Sequence, residues 1–172
     1  MAALDTLGVW TAASGVPPTT RFATLDTFVS GDTPTQEFLV LDFDFGATTE
    51  FSDFTGVMPG QYDGSGALEV VLHWSSDATT GNVKWDVSFK RVTDDADDLD
   101  TTAFATIQTV TSATANAAGE LSYSVIDFTN AQADGIQPNE VYFIRVERDS
   151  ADGGDTMDSN DAELHTMELR LN

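Results

Sequence analysis

The sequence predicts an all-β protein: a single antiparallel β-sandwich of the jelly-roll or Ig-like type, with about eight strands and an extended N-terminal arm. Residues 82–91 alternate apolar and polar side chains without a break, so Val83, Trp85, Val87 and Phe89 share one face of an extended segment. Such a strand covers a core with one face and meets water with the other, which is typical of antiparallel sandwiches. Similar segments recur along the chain at even spacing, separated by turn residues.

Composition sets the size of the domain and excludes several kinds of partner. A chain of 172 residues suits one domain, and 41% hydrophobic residues with 11 Phe argue against disorder. The 29 acidic residues against 7 basic ones give a net charge of −22. Because phosphate groups bind clustered Lys and Arg, we expect neither direct nucleic-acid binding nor binding to an anionic membrane. The absence of Cys excludes disulfides and Cys-ligated metals.

The acidity has two explanations. A saline or marine setting favours acidic surfaces, which keep a protein hydrated; the other explanation is a basic or cation-bridged partner. The saline setting is the simpler of the two. The first residues carry no basic and apolar secretion signal, and no apolar run reaches transmembrane length, so we expect a protein made in a cytoplasm.

Residues 1–36 differ from the rest of the chain and are predicted to form the extended arm. They are rich in Thr, Ala, Gly and Pro, which disfavour regular elements at this density. Isolated apolar side chains lie between these residues: Trp10, Phe22, Leu25, Phe28 and Val29. We expect Trp10, Phe22, Leu25 and Phe28 to bind a partner. The alternative is a segment that lies along its own domain.

Residues 37–172 are predicted to form the sandwich domain. The expected strands cover residues 37–44, 50–57, 66–75, 82–91, 104–112, 120–128, 140–148 and 162–171. Pro and Gly at 58–60 and Gly and Asp at 62–66 mark turns between strands. Short helical turns are expected at 97–105 and 129–135, where Asp and Thr can cap.

The Asp-rich loop at 149–161 is the sharpest candidate for a metal site. Carboxylate oxygens on a Gly-containing loop are the ligands that Ca²⁺ takes. The candidate ligands are Asp152, Asp155, Asp158 and Asp161. The alternative is a solvated hairpin loop, since the spacing does not match an EF-hand. No other cofactor is expected.

No motif for catalysis is present, so we expect no enzyme. His73 and His165 each lie inside an alternating strand and lack a nucleophile motif, which favours strand-face or partly buried histidines. Trp74 and Trp85 share faces with other large apolar residues and are expected in the core. Tyr62, in a Gly-rich loop, is the aromatic residue expected to be exposed, which leaves carbohydrate binding open.

Several short segments together resemble a known group of proteins. They are 40–44 (VLDFD), 62–68 (YDGSGAL), 72–74 (LHW), 81–89 (GNVKWDVSF), 104–106 (FAT), 126–131 (IDFTNA), 145–149 (RVERD), 155–157 (DTM) and 161–164 (DAEL). Over about residues 38–170 the chain resembles small acidic β-sandwich virion structural proteins of tailed bacteriophages, which are mostly uncharacterised. The resemblance implies a virion component and supplies no functional residues.

The function expected from this resemblance is that of a structural virion protein. It would be exposed on the capsid as a decoration (cement) protein or short head fibre, and be assembled in the host cytoplasm. The arm would attach it to the major capsid protein or another virion protein, and it would form a homo-oligomer, with a trimer favoured by icosahedral geometry. The alternative is a receptor- or glycan-binding module of the phage tail.

Overall fold

A computed structural model describes residues 5–46, 48–157 and 160–172 and consists of strands, turns and one short 3₁₀ segment. The strands are β1 (Thr6–Thr11), β2 (Thr24–Val29), β3 (Glu37–Phe43), β4 (Glu50–Val57), β5 (Leu68–Ser75), β6 (Asn82–Val92), β7 (Gln108–Ala113), β8 (Ser122–Phe128), β9 (Val141–Arg148) and β10 (Ala162–Leu171). No helix in this described part is long and apolar enough to span a membrane.

The strands form two antiparallel sheets. The larger sheet has six strands in the order β2-β3-β10-β5-β8, with β1 beside β3 on the same edge of β10. The smaller sheet has the order β4-β9-β6-β7. The predicted all-β antiparallel sandwich is therefore confirmed.

The core lies between the sheets and is built from the inward residues of each alternating strand. In β6 the side chains of Val83, Trp85, Val87 and Phe89 are all fully buried, as their alternation predicts. Trp74 of β5 meets Trp85 edge to face at 5.9 Å and donates its indole N–H to the Ser124 hydroxyl at 2.9 Å. Because buried aromatic rings contribute about 1.5–3 kcal/mol each, these pairs hold the two sheets together.

The eight predicted strands correspond to β3 through β10, with boundaries that agree within a few residues. The expected helical turns at 97–105 and 129–135 are turns without a regular helix. In the second, the backbone N–H groups of Gln132 and Ala133 both donate to the Thr129 carbonyl, at 3.0 Å each, so a single turn forms and ends.

The N-terminal residues lie along their own domain, which is the alternative to an arm that reaches a partner. β1 pairs with β10 and β2 pairs with β3, so both strands belong to the larger sheet. Ser30 donates its N–H to the Gln36 carbonyl at 2.8 Å in the turn that joins β2 to β3, where the sequence predicts a domain boundary. The physical reason is that the edges of β3 and β10 carry backbone N–H and C=O groups that need hydrogen-bond partners, and pairing with β2 and β1 supplies these partners. Because residues 1–36 show no apolar periodicity, this pairing could not be predicted from the sequence.

Candidate functional site: a groove on the outward face of the larger sheet

The outward face of the six-stranded sheet carries a groove of about 480 Å³. Strand alternation creates this face, because Trp74, Ile126 and Leu164 point into the core and their neighbours point outward. The groove is lined by Val9, Phe28, Phe38, His73, Gly119, Leu121, His165, Thr166 and Glu168. Six strands or their connections thus contribute to one concave surface.

Aromatic and imidazole rings cross this face from one edge of the sheet to the other. Phe28 of β2 is paired in register with Phe38 of β3 and meets His165 of β10 edge to face at 5.7 Å. His73 of β5 is paired with Tyr123 of β8, and their rings meet edge to face at 5.3 Å. Four strand spacings give the row a length of about 19 Å.

A break in the β10 ladder turns His165 toward the groove. The register between β10 and β5 shifts between Leu164 and Thr166, which is a bulge or irregularity at His165. As a result His165 and Thr166, although adjacent in sequence, both line the groove. The Ser75 hydroxyl lies 2.8 Å from His165 Nε2 and 2.6 Å from Glu163 Oε2. The His165 ring is therefore held on its core-facing side by a hydrogen bond with the fully buried Ser75.

The carboxylate of the groove, Glu168, is neutralised by its neighbours. Arg170 Nη2 donates to Glu168 Oε2 at 2.6 Å, and the Thr6 hydroxyl donates to Oε1. The Arg170 hydrogen bond, with the Thr6 hydrogen bond as a smaller cause, holds the pKa of Glu168 below its usual value. Glu168 is thus an ionised acceptor with its charge balanced by Arg170.

Both histidines are uncharged at neutral pH. Burial lowers the pKa of His73, against a smaller opposing effect of Glu168, and burial alone lowers the pKa of His165. With neutral imidazoles and a balanced Glu168, the groove surface carries no net charge near pH 7.

Two acidic side chains face each other across β3 and β10 and do not line the groove. Asp42 of β3 lies opposite Glu163 of β10 in register. Burial, followed by the charges of Glu163 and Asp26, raises the pKa of Asp42 to about 7. Burial also raises the pKa of Glu163. In the described part of the chain, no group of three or more His, Asp or Glu side chains is placed to hold a metal ion.

The outward face of the smaller sheet is filled by its own side chains. The Arg145 guanidinium lies between the rings of Phe51, at 4.3 Å, and Phe104, at 4.1 Å, and donates to Asp53 at 2.7 Å. Lys90 lies 4.8 Å from the centre of the Phe143 ring. These cation–π contacts cover the outward face of the smaller sheet and engage its Arg145 and Lys90 side chains within the protein. The groove on the larger sheet is therefore the stronger candidate for a binding site.

The structure brings one of the four predicted arm residues into the groove. Phe28 lines it, whereas Trp10 packs inward, edge to face with Tyr142 at 6.1 Å, and donates its indole N–H to the Thr55 carbonyl at 2.9 Å. Phe22 and Leu25 are exposed outside the groove.

Two of the four candidate calcium ligands, Asp152 and Asp155, pair with protein cations. Asp155 accepts two hydrogen bonds from the buried Arg148, at 2.9 and 3.0 Å. Asp152 accepts from Lys84 at 2.9 Å. Asp161 lines a separate small cavity with Asp77, Asn160 and Glu163, and Asp158 lies outside the described residues. The described ligands are therefore two salt-bridged carboxylates and a third, Asp161, that lines a separate cavity.

Tyr62, the aromatic residue expected to be exposed, is buried. Its hydroxyl donates to the Gly66 carbonyl at 2.7 Å and accepts from the Asn130 amide at 3.0 Å, so the loop folds over it. Two aromatic residues were not predicted to be exposed: Phe38, which lines the groove, and Tyr123, which lies beside it against His73. The alternation of Tyr123 with Ser122 and Ser124 indicates that tyrosine and serine side chains lie on opposite faces of the strand. Which of the two faces points outward follows only from the sheet order.

Comparisons with known proteins give a likeness in fold. No family model matches the chain, and no curated protein sequence matches it. The CBM22-1 xylan-binding domain of Xyn10C from Paenibacillus barcinonensis is similar with a TM-score of 0.54 and 9% identity, over 99% of this chain and 97% of that one. The CBM36-1 domain of a multidomain xylanase from the hindgut metagenome of Trinervitermes trinervoides has a TM-score of 0.45 and 11% identity, over 94% of each chain. The likeness to the xylan-binding domain is one of fold alone, that of a β-sandwich.

Proposed function

We propose that this protein is a glycan-binding module and that its ligand lies in the groove of the larger sheet. The observation that carries the proposal is the row of Phe28, Phe38, His165, His73 and Tyr123 across one outward sheet face. Small-molecule sites are concave and mainly apolar or aromatic, with a few polar groups that fix orientation. Sugar rings have apolar faces that stack on aromatic rings and hydroxyls that need polar partners, so this lining suits them.

Charge favours an uncharged glycan. The protein has a net charge of −22, and Arg170, the cation beside the groove, is engaged by Glu168. A uronate or sulfated chain would meet repulsion from the whole surface without a free cation to receive it. A neutral polysaccharide avoids this penalty.

Binding fits the groove better than hydrolysis. Glycoside hydrolysis uses two carboxyl groups, one of which must hold a proton as general acid. Glu168 is the carboxylate among the described lining residues, and its lowered pKa keeps it ionised. The similarity in fold to a xylan-binding domain points in the same direction, as an analogy.

The test compares two phenylalanines of equal exposure, one inside the groove and one outside. Phe38 is 46% exposed and lines the groove, whereas Phe22 is 45% exposed and lies outside it. Wild type, Phe38→Ala and Phe22→Ala are measured by calorimetry against a panel of neutral polysaccharides. We expect Phe38→Ala to weaken binding roughly tenfold, since a central aromatic contact contributes more than about 1 kcal/mol. Phe22→Ala should bind like wild type. Absence of binding to every glycan, or equal losses in both variants, would contradict the proposal.

The virion setting is part of the proposal. Of the two virion roles, receptor binding by a tail module is favoured, because the groove gives it a site. The capsid-decoration role has the protein attached partly through residues 1–36, and Trp10 of this segment contacts Thr55 and Tyr142 of its own domain. Mass spectrometry of purified virions gives the copy number: few copies per particle support a tail module, and hundreds support a capsid coat, with its trimer and its capsid-protein partner.

A further inference from the structure

Two hydrogen bonds meet at the hydroxyl of Ser75 beneath the groove. Ser75 Oγ lies 2.6 Å from Glu163 Oε2 and 2.8 Å from His165 Nε2. The serine is fully buried at the end of β5, and Glu163 and His165 lie two residues apart on β10. The three side chains therefore form a chain from a carboxylate to a ring that lines the groove.

The number of available hydrogens fixes the direction of both bonds. A serine hydroxyl has one hydrogen, and an ionised carboxylate can only accept. An oxygen–oxygen distance of 2.6 Å to a carboxylate requires that hydrogen to lie between the two atoms. When Glu163 is ionised, Ser75 therefore donates to Glu163, and the remaining bond must be donated by His165 Nε2 to the serine oxygen.

We infer that Glu163 and Ser75 are positioning residues that hold neutral His165 as the tautomer with its hydrogen on Nε2, leaving Nδ1 as a hydrogen-bond acceptor for the ligand. The ring is also held in place by its edge-to-face contact with Phe28 at 5.7 Å. The ionised Glu168 is a second acceptor in the groove. Where a glycan is the ligand, which rests on the proposed function, the groove selects free hydroxyl groups that donate and disfavours O-methylated sugars that cannot.

The tautomer is tested on the full chain without any ligand. Nitrogen-15 NMR at about pH 8, where carboxylates are ionised and histidines are neutral, reports which ring nitrogen carries the hydrogen. In wild type we expect His165 with protonated Nε2 and bare Nδ1. Ser75→Ala and Glu163→Ala each remove the constraint, so the Nδ1–H tautomer becomes populated and the two nitrogen shifts move toward each other. His73, whose ring contacts Tyr123 and shares no described hydrogen bond with Ser75, serves as the internal control.

Two results would overturn the inference: a protonated Nδ1 in wild type, or unchanged His165 shifts in both variants. Thermal unfolding of each variant establishes that it is folded, and a merely structural role of Ser75 would change the melting temperature without changing the tautomer. Because none of the NMR samples contains a glycan, the NMR result is independent of the proposed function.

A ligand experiment tests the consequence for selectivity. Wild type and Glu163→Ala are titrated with a neutral glycan and with its partly O-methylated form. We expect wild type to prefer the free hydroxyls and Glu163→Ala to lose roughly three- to tenfold in affinity for them, with a smaller preference. An equal preference in both proteins would overturn the assigned role of His165. If neither protein binds a glycan, the proposed function fails while the NMR result still decides the tautomer.

Discussion

Replacing Arg148 by Met should produce a large loss of stability, because this arginine is a buried cation with every donor in use. Both side chains of the Arg148–Asp155 pair are fully inaccessible to solvent. The guanidinium also donates to the carbonyls of Phe43 at 2.9 Å, Asn160 at 2.8 Å and Met157 at 3.0 Å. It therefore ties the end of β9 to the end of β3 and to the loop that leads into β10.

Removing the cation leaves Asp155 buried and unpaired and leaves these three carbonyls without their donor. Breaking a buried ion pair from one side costs about 3–5 kcal/mol, which is a large share of the 5–15 kcal/mol stability of a typical domain. The matched control is Lys84→Met on β6, which removes the cation that pairs with the same loop through Asp149 and Asp152. Lys84 pairs with Asp149 and Asp152 where water reaches all three side chains, so its loss should cost about 0–1 kcal/mol.

Urea unfolding followed by circular dichroism measures both free energies. The variant Asp155→Asn completes a double-mutant cycle, and we expect the double variant to lose less than the sum of the single losses, since the unpaired charge is gone. The reasoning is refuted if Arg148→Met costs less than about 1 kcal/mol or no more than Lys84→Met.

Two further predictions concern packing and pH. A methyl group at Gly56 would lie 2.7 Å from the Tyr142 ring and 2.8 Å from Trp10, so Gly56→Ala should lower the free energy of unfolding in urea by about 1–3 kcal/mol. The control is Gly31→Ala, which has open space around it and should change the free energy little. Equal effects of the two substitutions would contradict this packing. Burial raises the pKa of Asp42 to about 7 in the folded protein, against an ordinary value of 3.8. The folded state therefore binds this proton more tightly, and the unfolding free energy should fall as pH rises from about 4 to about 7. Asp42→Asn should raise the melting temperature at about pH 8 and flatten this part of the pH profile; a profile unchanged by the substitution would contradict the assignment.

The sequence predicts the sandwich from its alternating strands but cannot predict how distant strands meet. β6 was predicted almost to the residue, because Val83 to Phe89 alternate without interruption. β1 and β2 were missed as strands, since their side chains show little alternation and their partners lie far away in the chain. The groove was missed for the same reason: Phe28, Phe38, His73 and His165 come from four strands, and only the sheet order brings them together. The calcium loop stays a prediction, and its pattern of Asp residues did not reveal that Asp155 and Asp152 pair with Arg148 and Lys84.

The pairing of β1 with β10 has a consequence for the order of events during synthesis. β10 is the tenth strand along the chain but lies in the middle of the larger sheet, where it pairs with β1, β3 and β5. At about 5–20 residues per second, roughly 150 residues and about 8 to 30 seconds separate the emergence of β1 from that of β10. During this interval β1 has no partner strand, and the neighbouring edges of β3 and β5 are exposed. The nascent chain is therefore most open to misassociation just before residues 162–171 arrive, and folding of the sheet must be completed by its last strand.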